Sequence, residues 1–140
     1  MDVKNIICTA AGLAGAGLSA IFGGWSGALT TLVIFMAIDY VTGIISAGVF
    51  HASTKTDSGR LESRAGWKGL IRKGAILAVV LIAHRMDMLM QTESLIKDGA
   101  VIAFCTNELI SIIENMGHMG VPIPKVLADM IEKMKDKEAE

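Results

Sequence analysis

Between Lys4 and Lys55 the chain carries a single charged side chain, Asp39. A water-soluble domain needs charge on its outward faces, and a run of about fifty residues without it has no wet side. Lipid suits such a run. At about 1.5 Å per residue it is too long for one crossing of a hydrocarbon core about 30 Å thick. The run therefore predicts a membrane hairpin. It also places Asp39 inside the bilayer, where a carboxylate is costly and usually functional.

The length of 140 residues and a hydrophobic share of 52% predict one domain over residues 1–140. The expected fold class is an all-α membrane protein. It has four transmembrane or membrane-embedded helices and a short C-terminal cytoplasmic amphipathic helix. A net charge of −1 gives no footprint for nucleic acid. Cys8 and Cys105 lie in apolar runs, which predicts two buried, reduced thiols rather than a disulfide. The N-terminus makes a poor secretory signal. Only Lys4 charges it positively, Asp2 offsets that charge, and the apolar stretch runs past any cleavage point. The first helix is expected to stay in the membrane.

The first span is expected over residues 6–22. Ala11, Gly15, Ser19 and Gly23 fall at steps of four, so small side chains form one stripe along which helix backbones approach closely. That packing is either within one protomer or between protomers. Residues 23–27 form a turn, with Trp25 as a headgroup-level anchor. The second span covers residues 28–48. At about 100° per residue, Thr31, Asp39, Thr42, Gly43 and Ser46 share one arc. Residues 51–69 read as a cytoplasmic loop whose topology is set by Lys55, Arg60, Arg64 and Lys68, continued by Arg72 and Lys73. A lipid- or DNA-binding role for this loop is the alternative.

The third span is expected over residues 70–90. Arg72 and Lys73 would snorkel to the cytoplasmic headgroups, with Arg85 and Asp87 near the outer ones. The fourth span, 99–116, gathers Asn107, Glu108, Ser111, Glu114 and Asn115 on one face. It either crosses with that face toward other helices or lies flat on the surface. Crossing puts the basic loop and the tail, 117–140, on the same cytoplasmic side. Pro122 and Pro124 interrupt that tail before a last amphipathic helix.

No nucleophile–base pair is visible, and His51, His84 and His118 are widely separated in sequence. No metal site, no cofactor and no enzymatic activity are expected. What remains is the intramembrane polar groups Thr31, Asp39, Thr42, Ser46, Asn107, Glu108, Ser111, Glu114 and Asn115. They are either hydrogen-bonded or protonated within a packed bundle, or they form a hydratable face that lines an opening.

Four segments resemble the phage holins of the toxin-secretion and phage-lysis type. Ile38-Asp39-Tyr40-Val41-Thr42-Gly43-Ile44-Ile45-Ser46-Ala47 is similar to that family's Asp-x-x-x-Gly-x-x-x-Ala segment. Ser63-Arg64-Ala65-Gly66-Trp67-Lys68-Gly69-Leu70-Ile71-Arg72-Lys73 resembles its Gly-x-x-Arg-Lys helix start. Asn107-Glu108-Leu109-Ile110-Ser111-Ile112-Ile113-Glu114-Asn115 resembles its Glu-x-x-Ser-Ile segment. Gly120-Val121-Pro122-Ile123-Pro124-Lys125-Val126-Leu127 matches its Gly-x-Pro-x-Pro-x-x-Leu close. The Gly- and Ala-rich first span fits less well. The resemblance implies a homo-oligomer in the bacterial cytoplasmic membrane, where the basic loop and four crossings put both termini inside. It further implies a lesion that releases a cell-wall hydrolase, or a toxin, without stable contact between the two proteins and without nucleic acid.

The rival readings are a small ion- or drug-coupled transporter, a membrane lipid kinase and a soluble four-helix bundle.

Overall fold

The computed structural model describes residues 2–138, so the last two residues of the expected tail lie outside the described residues. It is all-helical among them: α1 Val3–Ile21, α2 Gly27–Gly48, α3 Ser63–Met90, α4 Leu95–His118 and α5 Lys125–Glu138. Two of these, α1 and α2, are long and apolar enough to cross a membrane. Four such helices were expected. Helices α3 and α4 reach the length, but Arg72, Lys73, Arg85 and Asp87 on one, and Lys97, Asp98, Glu108 and Glu114 on the other, break the apolar windows.

The helix bounds follow local chemistry. Ser26 caps α2, its Oγ accepting from Leu29 N at 3.1 Å. The turn before it needs left-handed backbone at Gly23 (φ 72°) and Gly24 (φ 97°). A Cβ on Gly23 would stand 2.1 Å from His84 Cε1, so that position also requires the missing side chain. Gly23 thus serves the turn rather than the small-residue stripe.

Helix α3 starts at Ser63, within the segment expected to be loop, so Arg64 and Lys68 sit on its first turns. Its 28 residues extend about 42 Å, more than a hydrocarbon core needs. Helix α4 starts at Leu95 rather than 99 because Asp87 takes over its orphan amides. Asp87 Oδ1 accepts from Ile96 N at 2.9 Å, and Oδ2 from Lys97 N at 2.8 Å.

Helices α2, α3 and α4 form the bundle. The broadest contact is α2 on α4, and the sparsest is α2 on α3. Their shared core is Leu29, Leu32, Met36, Ile76, Val80 and Val101, closed at one end by Phe22. Helix α1 buries none of its residues. It joins the bundle at its end, through Phe22 in the core and the Phe22 carbonyl, which accepts from Lys97 Nζ at 3.2 Å. Cys8 is exposed there, against the expectation of a buried thiol, because α1 has no cover; Cys105 is partly buried. After the proline-bearing link, α5 returns to α4. Its Ile131 packs on Ile110 and Ile113.

Candidate functional site

The seam that packs α2 continues Leu29, Leu32 and Met36 into Asp39, Thr42 and Ser46 at steps of three and four. On α3 the buried stripe is Lys73, Ile76, Val80, Ala83 and Asp87, with the same spacing. Helix α4 turns Glu108 and Asn115 inward. Three charges therefore meet where the three helices do. Lys73 Nζ lies 2.8 Å from Asp39 Oδ2 and 2.5 Å from Glu108 Oε2. All three residues are buried, with 8%, 6% and 6% of their surface exposed.

The remaining valences are met locally. Asn115 Nδ2 donates to Asp39 Oδ1 at 3.2 Å and to Thr42 Oγ1 at 3.1 Å. From the loop after α2, Lys55 Nζ reaches Ser111 Oγ at 3.1 Å and Asp39 Oδ1 at 3.5 Å. Two ammonium groups and two carboxylates make a neutral set. A lone buried ion costs several kcal/mol of desolvation, and close pairing with added hydrogen bonds offsets part of that cost. Ser46 Oγ, one turn on, is buried without a hydrogen-bond partner among the described residues.

Most of the polar residues singled out by periodicity converge here: Asp39, Thr42, Glu108, Ser111 and Asn115, with Ser46 beside them. Thr31 does not. It is exposed near the start of α2 and donates to the Gly27 carbonyl at 2.9 Å. Asn107 and Glu114 are exposed, and Asn107 borders a cleft described below. Of the basic residues, Arg60, Arg64, Lys68 and Arg72 are exposed. Lys73 corrects the reading that it snorkels to headgroups: two carboxylates hold its ammonium inside the bundle. Ala11 and Gly15 are exposed and Ser19 is partly so, with open space around Gly15 among the described residues.

A second polar knot closes the other end of the bundle. Asp87, 1% exposed, accepts from Thr92 Oγ1 at 2.6 Å in addition to the two α4 amides. Asp87, expected near the outer headgroups, is buried instead, and so is Lys97. The dry core of Leu32, Met36, Ile76 and Val80 separates the two knots.

The cleft, of about 200 Å³, opens from the first knot between α2, α3, α4 and the Lys55 loop. That loop folds back on itself. Ser53 N donates to the Gly59 carbonyl at 3.1 Å, and a Cβ on Gly59 (φ 70°) would meet the His51 carbonyl at 2.5 Å.

The sequence profile of the bacteriophage holin family matches residues 16–136. The chain belongs to the bacteriophage holin family. A holin-family relative from Bacillus phage phi105, named probable holin, is 32% identical over 115 residues, which cover 80% of this chain and 79% of the relative. An uncharacterized protein of Halalkalibacterium halodurans is 38% identical over 142 residues, covering 98% and 99% of the two chains. A 14.9 kDa protein of Clostridium perfringens from the nagH 3' region is 35% identical over 118 residues, 84% and 83% of the two. No solved structure matches the chain. Family membership and the two long apolar helices together point to a membrane protein. Asp39, Lys73 and Glu108 fall one in each of the first three holin-like segments, and Lys55 lies outside them.

Proposed function

We propose that this chain is a working holin. It gathers in the bacterial cytoplasmic membrane as a homo-oligomer and opens a lesion through which a cell-wall hydrolase, or a toxin, leaves the cytoplasm. It performs no catalysis. All four long helices cross the membrane, both termini and the basic loop lie inside, and α5 stays cytoplasmic.

The single observation that carries this reading is the Lys73 bridge between Asp39 and Glu108. Helices α3 and α4 are too charged by composition to enter lipid, yet Lys73, Asp87, Lys97 and Glu108 point inward and are paired or hydrogen-bonded. With those groups removed from the lipid face, the outward surface of the bundle is largely apolar. Val41, Val79, Ile82 and Ile102 are exposed there. In the closed protomer the polar faces satisfy one another. When protomers associate and the helices part, the same faces line water. Family membership lends the transporter alternative no support.

Expression in a bacterium, with and without a co-expressed cytoplasmic murein hydrolase, tests the proposal. Abrupt growth arrest alone, and clearing of the culture only with the hydrolase, is expected. Clearing that ignores the hydrolase, or growth that ignores the protein, contradicts it.

A further inference from the structure

The inner cleft does not end at the charge knot. It adjoins a second cleft of about 300 Å³ and shares Tyr40, Ile44, Leu61, Glu62 and Gly66 with it. The second cleft runs outward between α2 and α3 and ends at Trp67 and Leu70, both exposed. It exists because α2 and α3 barely touch and because α3 turns Gly66 and Gly69 toward the Tyr40 ring. A Cβ at Gly66 would lie 3.7 Å from the Tyr40 hydroxyl, so a larger side chain would fill the slot.

The combined cavity is polar at its inner end and apolar where it opens sideways. That gradient fits a molecule with a charged head and a hydrocarbon tail. The mouth ends at Trp67, a residue type that sits at headgroup level. The walls are balanced in charge: Lys55, Arg72 and Lys73 against Asp39, Glu62 and Glu108. Lys73 is already engaged by Asp39 and Glu108. Lys55 also reaches Ser111 and Asp39, but its side chain is 49% exposed, and it faces a ligand together with Arg72 and with Glu62, which accepts from Ser58 Oγ at 3.0 Å. The cations suit a phosphate, and the carboxylate beside them gives an ammonium a partner that a purely anionic headgroup would leave unused.

We propose that the slot between α2 and α3 is a site for an inner-leaflet phospholipid of the ethanolamine class. Its phosphate lies against Lys55 and Arg72. Its primary ammonium donates to Glu62, and one acyl chain lies along Ile44, Leu61 and Leu70. The site rests on the membrane orientation proposed above.

Native mass spectrometry of the detergent-solubilised full chain tests it, with phosphatidylethanolamine, phosphatidylglycerol and diacylglycerol of matched acyl chains as probes. The ethanolamine lipid should be retained one to one, about tenfold over either competitor. Gly66→Leu should lower that retention about tenfold by filling the slot, and Arg72→Gln, on an exposed side chain, should do so without touching the core. Glu62→Gln should keep binding and lose the preference over phosphatidylglycerol. Gly74→Leu, whose Cβ meets open space, is the control. Equal retention of diacylglycerol, or wild-type retention by Arg72→Gln, overturns the site. Lipid retention by a protein that fails the hydrolase co-expression test leaves this proposal standing and removes the lysis reading; the opposite result does the reverse.

Discussion

At the scale of single residues, Lys73 decides whether the bundle closes. Its ammonium separates two carboxylates that would otherwise face each other in a dry seam. Lys73→Met strips Glu108 of its ion pair and leaves Asp39 with Asn115 and the longer 3.5 Å contact to Lys55, and breaking a buried pair of this kind costs about 3–5 kcal/mol. Loss of accumulated membrane protein is the expected outcome, read by immunoblot of membrane fractions. Replacing all three groups, as Asp39→Asn, Lys73→Met and Glu108→Gln together, should restore accumulation, because no unpaired charge is then left in that seam; continued loss would mean that Lys73 acts through packing. Asp39→Asn alone keeps an acceptor for Lys73 and should preserve insertion while shifting the onset of lysis. Onset unchanged in culture-density traces would reduce Asp39 to a packing role. The importance of Asp39 and Glu108 was legible in the sequence, since a carboxylate in an apolar run stands out. Lys73 was not, because it sits next to Arg72 at a helix start and resembles an ordinary topology signal. The clue was the spacing: Ile76, Val80 and Ala83 set a buried stripe, and Lys73 continues it by one step of three.

At the scale of elements, α1 is the outlier. None of its residues is buried, and Phe22 and the following turn join it to the bundle. That separates two kinds of glycine. Gly23→Ala forces a Cβ onto His84 at a left-handed position, so a drop in thermal stability of the detergent-solubilised protein is expected. Gly12→Ala has open space around it and should be neutral or stabilising by about 0.5–1 kcal/mol through helix propensity. Gly15→Leu should leave the protomer folded but weaken association if the stripe packs between copies. Unchanged oligomer size by light scattering would assign the stripe to lipid. The four long helices were legible because apolar runs and turn residues mark them. Their ends were less so. Helix α3 begins seven residues before its expected start, and α4 borrows a cap from Asp87, a residue nine and ten positions away whose role depends on tertiary contact.

At the scale of the whole molecule, the protomer has a polar knot at each end and a dry core between them. Among the described residues that dry core separates the two ends, so under the proposed holin function the passage for a hydrolase forms between protomers. Interhelical hydrogen bonds in membranes contribute only about 0.6 kcal/mol each on average, so many weak contacts must act together. The holin family was legible from four short segments whose order matched, although the first span carried no such mark. The co-operative step is best tested by release of protein-sized dextran from proteoliposomes as protein density is varied. The account predicts negligible release below a threshold and a rise much steeper than first power above it. Release that stays proportional to protein, down to isolated protomers, would contradict it.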